Sequence, residues 1–213
     1  MLRLEIYQET AHFRIATIGN PYLSYLLPPP STIYGFLRKM TNYESINYTN
    51  TKLSIQGRYE AVSLEKERLV LETKKEIKTN IIPIQKLHNA KWIIHINSSQ
   101  DFENKIKNAF GSFSGVLRLG RTEDLIIDYA IIEIKEKTIE NNINIKEDYF
   151  IYRKWEKGKD FKGQLFSMFL DSEVDENKKI IGYKPIQLIY SSVGNVKNEI
   201  KTCDGGYLVS WIS

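Results

Sequence analysis

Three consecutive prolines, Pro28, Pro29 and Pro30, stand directly ahead of Ser31-Thr32-Ile33-Tyr34-Gly35-Phe36-Leu37. No other stretch restricts the backbone so strongly. Each proline locks φ and removes an N–H, so the three together hold the chain extended. Ser31 is a good N-cap, because its hydroxyl can accept a bond from an orphan N–H of the first turn. Ile33, Phe36, Leu37 and Met40 then recur at helical spacing. The expectation is a rigid arm that delivers the chain into an amphipathic helix.

Around this arm the hydrophobic pattern alternates between two periods. Leu2, Leu4 and Ile6 interleave with Arg3, Glu5 and Tyr7, the signature of a strand with one buried face. Residues 52–59 and 61–71 read as strands, and Trp92-Ile93-Ile94-His95-Ile96 as a buried one. Ser98, Ser99 and Asp101 offer caps for a second helix, in which Phe102, Ile106, Ala109 and Phe110 share a face and which Gly111 can stop. Leu125 to Ile134 is another apolar strand. Strand, helix, strands, strand, helix, strand is the split βαβ order of an α+β, ferredoxin-like domain, expected over residues 1–135. Inserted into it, at about 64–91, is a stretch carrying Lys66, Arg68, Lys74, Lys75, Lys78, Lys86 and Lys91 against Glu65, Glu67, Glu72 and Glu76. It reads as a protruding hairpin or long loop. A charged, Asn-rich run near 136–148 sets a boundary, and 136–213 reads as a small β-rich C-terminal domain.

Composition excludes several classes of function. Hydrophobic residues make up 42% of 213, too many for a disordered chain. A formal charge of +4 is too small for a protein that coats nucleic acid by bulk charge, so any RNA contact needs local arrangement. Cys203 is the single cysteine, which rules out an internal disulfide and any Cys-x-x-Cys metal site. The first six residues carry charges and lack the apolar run of a signal peptide. No uncharged apolar stretch is long enough to span a bilayer. A P-loop, a zinc pattern and a dinucleotide fingerprint are all missing. The expectation is a cytoplasmic protein with no membrane contact, no metal and no cofactor.

Two segments carry a family resemblance. The first is Ala11-His12-Phe13-Arg14 with Leu27-Pro28-Pro29-Pro30-Ser31-Thr32-Ile33-Tyr34-Gly35-Phe36-Leu37. The second is Gly115-Val116-Leu117-Arg118-Leu119-Gly120-Arg121-Thr122-Glu123-Asp124. Together they resemble the CRISPR-associated protein 5 family of type I surveillance complexes (Cascade), over roughly the first 130 residues. The chain's length and Pro-Pro-Pro-Ser-Thr form look most like non-cutting members, with subtype I-B the candidate. The resemblance implies an RNA-recognition-like fold of the RAMP superfamily, with a thumb hairpin and a variable C-terminal β domain. It implies a non-catalytic antiviral-defence subunit that binds the 5′ handle of crRNA and caps the ribonucleoprotein. Its partners would be that handle, the Cascade backbone subunit and the large subunit, with target DNA touched only indirectly.

A single-stranded handle needs donors for phosphates, flat surfaces for bases and close backbone approach. The expected RNA-binding set is Arg14, Ser31, Thr32, Tyr34, Lys39, Gly115, Arg118, Gly120 and Arg121. Ser31 and Thr32 would place hydroxyls and N–H groups at a helix N-terminus, Tyr34 would stack or hydrogen-bond, and Gly35 would admit a second backbone. Glycines in the 115–120 loop allow turns that face an anion, and Arg118 and Arg121 can clamp phosphates. Each has a plainer alternative: a proline-started helix packed on a sheet, an Arg121 paired with Glu123 or Asp124, a surface Arg14. Thumb contacts would come from Lys66, Arg68, Lys74, Lys75 and Lys78, or those lysines would belong to a solvated mixed-charge hairpin. The alternative function is a metal-independent endoribonuclease acting on CRISPR repeat RNA, with His12, Tyr34 and Tyr43 as its acid–base set. The 118–121 loop carries no histidine or lysine, which argues against cutting. His95 reads as a packed or interface histidine, and His88 as exposed.

Overall fold

The computed structural model describes residues 1–72, 77–135, 137–139, 144–175 and 180–212. Strand β1 (Leu2–Ala11) buries Leu2, Leu4, Ile6 and Gln8 on one face, as its alternation requires. Helix α1 (Pro30–Met40) and strand β2 (Lys52–Arg58) complete a first β-α-β unit. Strand β3 (Ala61–Glu72) and the long β4 (Ile77–Asn97) pair antiparallel from Ala61↔His88 to Glu72↔Ile77. The basic stretch is thus a two-stranded hairpin. The second half of β4, helix α2 (Gln100–Ser112) and β5 (Asp128–Glu133) make a second unit. Strands β1, β2, β4 and β5 stand side by side, antiparallel, in the order β5-β1-β4-β2.

The helices differ from expectation at their ends. Pro29, not Ser31, is the N-cap of α1, and no side chain caps it. Pro30 takes the first helical position, where a missing N–H costs nothing, and this pushes Ser31 inside the first turn. In α2 the expected cap holds: the Ser99 hydroxyl accepts from the Phe102 N–H. Gly111 does not stop that helix, which runs on to Ser112. Ile33, Tyr34, Phe36 and Leu37 of α1 share one core with Ile106 and Phe110 of α2 and with the inner face of the sheet. Phe36 meets Phe110 edge to face at 5.7 Å.

The sheet does not break at the expected boundary of 136. Strand β6 (Lys137–Thr138) leaves it, but β7 (Phe150–Lys154) pairs with β2 at Gln56↔Ile151 and Gly57↔Phe150. Strands β8 (Gln164–Val174) and β9 (Ile180–Ser192) follow, so among the described residues one sheet runs β5-β1-β4-β2-β7-β9-β8. After a one-turn helix, α3 (Val193–Val196), β10 (Thr202–Asp204) and β11 (Tyr207–Leu208) join β6 in a three-stranded sheet. This small sheet covers the other face of the large one, where Ile93 and Ile151 meet Val193, Cys203, Tyr207 and Leu208. The C-terminal third is therefore an extension of the first sheet plus a cover on its back. No helix among the described residues is long and apolar enough to cross a membrane.

One buried ion pair fastens the C-terminal extension to α1. The Arg38 guanidinium donates to Asp171 at 2.8 Å, to the Ser172 hydroxyl at 2.9 Å and to the Ile46 carbonyl at 3.1 Å. The second Asp171 oxygen accepts from the Tyr48 N–H at 3.2 Å. Both side chains are almost fully enclosed. Removing one partner strands a charge in a dry site, a loss of about 3–5 kcal/mol. Arg38→Ala is expected to lower the urea unfolding midpoint by that much stability. A shift under about 1 kcal/mol would contradict the pair's role.

Candidate nucleic-acid interface

The geometry of the 115–124 loop starts at Gln8. Its position continues the buried alternation of β1, but it is polar, so it must be satisfied. Its Nε2 donates to the carbonyls of Leu119 and Asp124, both at 2.9 Å, and its Oε1 accepts from the Trp92 indole at 2.8 Å. The loop is thereby pulled onto the end of β1. Residues 117–119 and 124–126 then fold back on each other, with Ile126 N–H bonded to the Leu117 carbonyl at 2.9 Å. This turn replaces the first part of the strand expected from Leu125.

Asp124 fixes the tip. It is fully buried, and its carboxylate accepts from the His12 N–H at 3.2 Å, the Arg121 N–H at 2.8 Å and the Arg121 guanidinium at 3.2 Å. Gly120 has φ +107, and a Cβ there would lie 2.8 Å from the Asp124 carboxylate and 3.0 Å from the His12 carbonyl. Glycine is needed there for both space and backbone. Arg121 reaches on to Glu67 at 2.8 Å, and Lys86 holds Glu67 at 2.7 Å and Glu65 at 3.0 Å. Burial works against the Glu67 charge, but Lys86 and Arg121 outweigh it and hold its carboxyl below the usual range. The loop is locked to β1 on one side and to the hairpin base on the other.

These contacts reassign several expected site residues. Arg121 is not a free phosphate clamp, because its guanidinium is spent on Asp124 and Glu67. Tyr34 is 0% exposed and donates to the Thr51 carbonyl at 2.7 Å, so it can neither stack on a base nor reach a scissile bond. His12 is 2% exposed, and its Nδ1 donates to the Gln85 carbonyl at 2.7 Å. Its ring is tied to β4 and its backbone N–H to Asp124 of the loop, so it does not face a substrate. Tyr43 lies on the turn after α1, beside Arg38 and Asp171, away from the neighbours of His12. Ser31 and Thr32 are half-buried. Pro30 has no N–H, and those of Thr32 and Ile33 turn to the Pro29 carbonyl, so this terminus keeps few donors for a phosphate. Around Gly35 a Cβ would meet nothing, so no close backbone approach explains that glycine.

Other expected residues do face solvent, and some come together. Arg118 and Lys39 are exposed. They flank a cavity of about 130 Å³ lined by Phe36, Met40, Phe113, Val116 and Leu117. Gly115, with φ +150, belongs to the same exposed loop. Arg14 is exposed and lies over the Tyr22 ring at 3.7 Å. On the hairpin, alternation sorts the charges. Glu65, Glu67 and Lys86 neutralise one another on one face, whereas Lys66 and Arg68 are exposed on the other beside Val62, Leu64 and Val70. Lys74 and Lys75 lie outside the described residues, as does the side chain of Lys78. His88 is tied to Ser63 at 2.7 Å, and His95 is buried beside Asp204. Among the described residues, no three His, Cys, Asp or Glu side chains gather as a metal site requires.

Comparison with known proteins places the fold. Among solved structures, a chain described as "CRISPR RNA-guided surveillance complex" aligns with TM-score 0.55 and 10% identity, over 90% of this chain and 89% of that one. A second, "Crystal structure of Cas protein", gives 0.48 at 9% identity, over 90% and 93%. A third, "Cryo-EM structure of the Type III-B Cmr-beta bound to cognate target RNA and AMPPnP, state 1", gives 0.46 at 13%, over 94% and 90%. The last two are too distant to carry weight. The first shows a shared fold. No protein-family profile matches the chain, and no curated protein matches it in sequence.

The buried His12 makes the fold sensitive to acid. Burial pushes its pKa below the ordinary 6.5, more strongly than the Gln85 carbonyl raises it, with the Arg121 charge adding to the fall. The unfolded chain therefore binds a proton near pH 6.5 that the folded chain refuses until lower pH. Stability is complete above that value and is lost as pH falls from it through the folded pKa. Urea unfolding at about pH 7.5 and about pH 5.5 is expected to show a larger loss for wild type than for His12→Gln. Equal losses would contradict a neutral, buried His12.

Proposed function

We propose that this chain is a non-catalytic subunit of a type I CRISPR Cascade complex, of the CRISPR-associated protein 5 kind, that binds the 5′ handle of crRNA and caps the assembly. The strand order β5-β1-β4-β2, with each helix crossing between strands, supports a ferredoxin-like domain of the RAMP type. The basic β3–β4 hairpin is read as its thumb, with Lys66 and Arg68 on the contacting face. Cascade backbone and large subunits are the proposed protein neighbours.

One observation carries the reading: the apolar cavity between α1 and the glycine loop, with Lys39 and Arg118 at its rim. An apolar and aromatic lining suits a nucleobase, and two cations beside it suit the flanking phosphates. The loop is anchored from behind by Asp124, so the cavity wall is preorganised before RNA arrives. Arg14, exposed over the Tyr22 ring, is a further proposed RNA contact. The catalytic alternative has less support, since His12 and Tyr34 are buried and satisfied by backbone carbonyls.

The test is binding of a fluorescently labelled, repeat-derived handle RNA to purified protein in EDTA. The RNA is expected to stay intact. Lys39→Ala with Arg118→Ala should weaken binding by about tenfold or more and flatten the salt dependence by about 0.7 per lost phosphate contact. Unchanged affinity in the double variant would overturn the site. Cleavage abolished by His12→Ala would overturn the non-catalytic reading.

A further inference from the structure

Among the described residues, nothing covers the outward face of the β7–β9–β8 end of the sheet. Inward, Met168, Leu170 and Leu188 belong to the core that holds α1. Outward, Leu165, Phe169 and Tyr183 are 49%, 41% and 51% exposed, and the last two stack at 4.5 Å. Trp155 is 37% exposed at the end of β7. With Lys154, Ser167, Pro185 and Gln187 it lines an open cavity of about 370 Å³.

A basic loop borders this face. Residues 153–162 hold five basic side chains (Arg153, Lys154, Lys157, Lys159, Lys162) against Glu156 and Asp160, with Trp155 and Phe161 between them. Arg153 is spent on Glu199, and Lys159 on Glu156. Lys154, Lys157 and Lys162 are exposed. The loop is held at both ends. Trp155 N–H donates to the Gln187 carbonyl at 3.1 Å, and the Ser191 hydroxyl to the Lys162 carbonyl at 2.6 Å. Gly163, with φ +148, lies so close to the Tyr190 carbonyl that no Cβ fits. The ends of this lysine- and aromatic-bearing loop are therefore fixed on β9.

We infer that this face is a second binding surface, for single-stranded nucleic acid. Rings displayed on an open sheet offer stacking to any base, and an adjoining lysine row offers charge to the backbone. The surplus of cations around apolar rings favours a polyanion with flat bases over an apolar protein partner. The surface is separate from the Lys39–Arg118 cavity. It lies on the opposite side of the sheet from α1, which lines that cavity.

The experiment uses the full chain carrying Lys39→Ala and Arg118→Ala, so that loss of the handle site cannot be mistaken for loss of this one. The probes are labelled twelve-nucleotide oligouridylate and oligothymidylate at about 0.1 M salt. Both are expected to bind and to quench tryptophan emission, and Trp155→Leu is expected to remove most of the quenching. Lys157→Glu with Lys162→Glu should weaken binding at least about tenfold. A preference for either oligonucleotide supports the site and tells which strand it takes. Unchanged affinity in the charge-reversal variant overturns the inference. So does a polyglutamate peptide that binds this face more tightly than either oligonucleotide.

Discussion

The proposed handle site rests on one buried carboxylate. Asp124 has no solvent contact, and an ion so placed is tolerated only when donors surround it. Here two backbone N–H groups and a guanidinium do so. Because those donors come from the residue after β1 and from the loop's own tip, satisfying the charge dictates where the loop sits. Arg121 then carries the constraint to Glu67, and so to the hairpin. Strand, loop and hairpin are coupled through charges that pair with one another, whereas Arg118, Lys39 and Arg14 face outward.

The same economy explains the rest of the molecule. Arg38 would be an unsupported charge on the buried face of α1 without Asp171. The pair therefore requires β8 to lie against α1, and β8 brings the C-terminal third into the first sheet. On the opposite face, β10 and β11 are held by Gln56, which donates to the Leu208 carbonyl, and by Arg3, which pairs with Asp204. Burial raises the Asp204 carboxyl, but His95 and Arg3 prevail and keep it below its usual range. The exposed surfaces divide accordingly: the β1 end of the sheet presents the glycine loop, and the β8 end presents exposed aromatic side chains.

Local features were legible in the sequence because local physics decides them. Leu2, Leu4 and Ile6 announced a one-sided strand, Ser99 announced a helix start, and the mixed-charge stretch announced a hairpin. The element order was readable for the same reason. Long-range pairing was not. Nothing near Arg121 says that Glu67 will reach it, so the choice between phosphate clamp and ion pair stayed open until the geometry was seen. Ser31 lost the cap to Pro29 because proline prefers the first helical position. Tyr34 was misjudged because its hydroxyl suggests a polar surface, whereas Thr51 supplies a buried acceptor. Two signals in the sequence do point to long-range partners: Gln8 in a core position of β1, and Arg38 among apolar helix residues. A polar residue at a buried period marks a partner elsewhere, and both had one.

In the proposed function, RNA is held at the anchored loop and not at the proline-started helix. Photo-crosslinking the purified protein to handle RNA, with adducts mapped by mass spectrometry, tests this most directly. Adducts concentrated at residues 113–118 and at Tyr22, with none at Tyr34, would agree with it. Adducts at Ser31 and Thr32 with none on the loop, or no adducts on this chain at all, would contradict it.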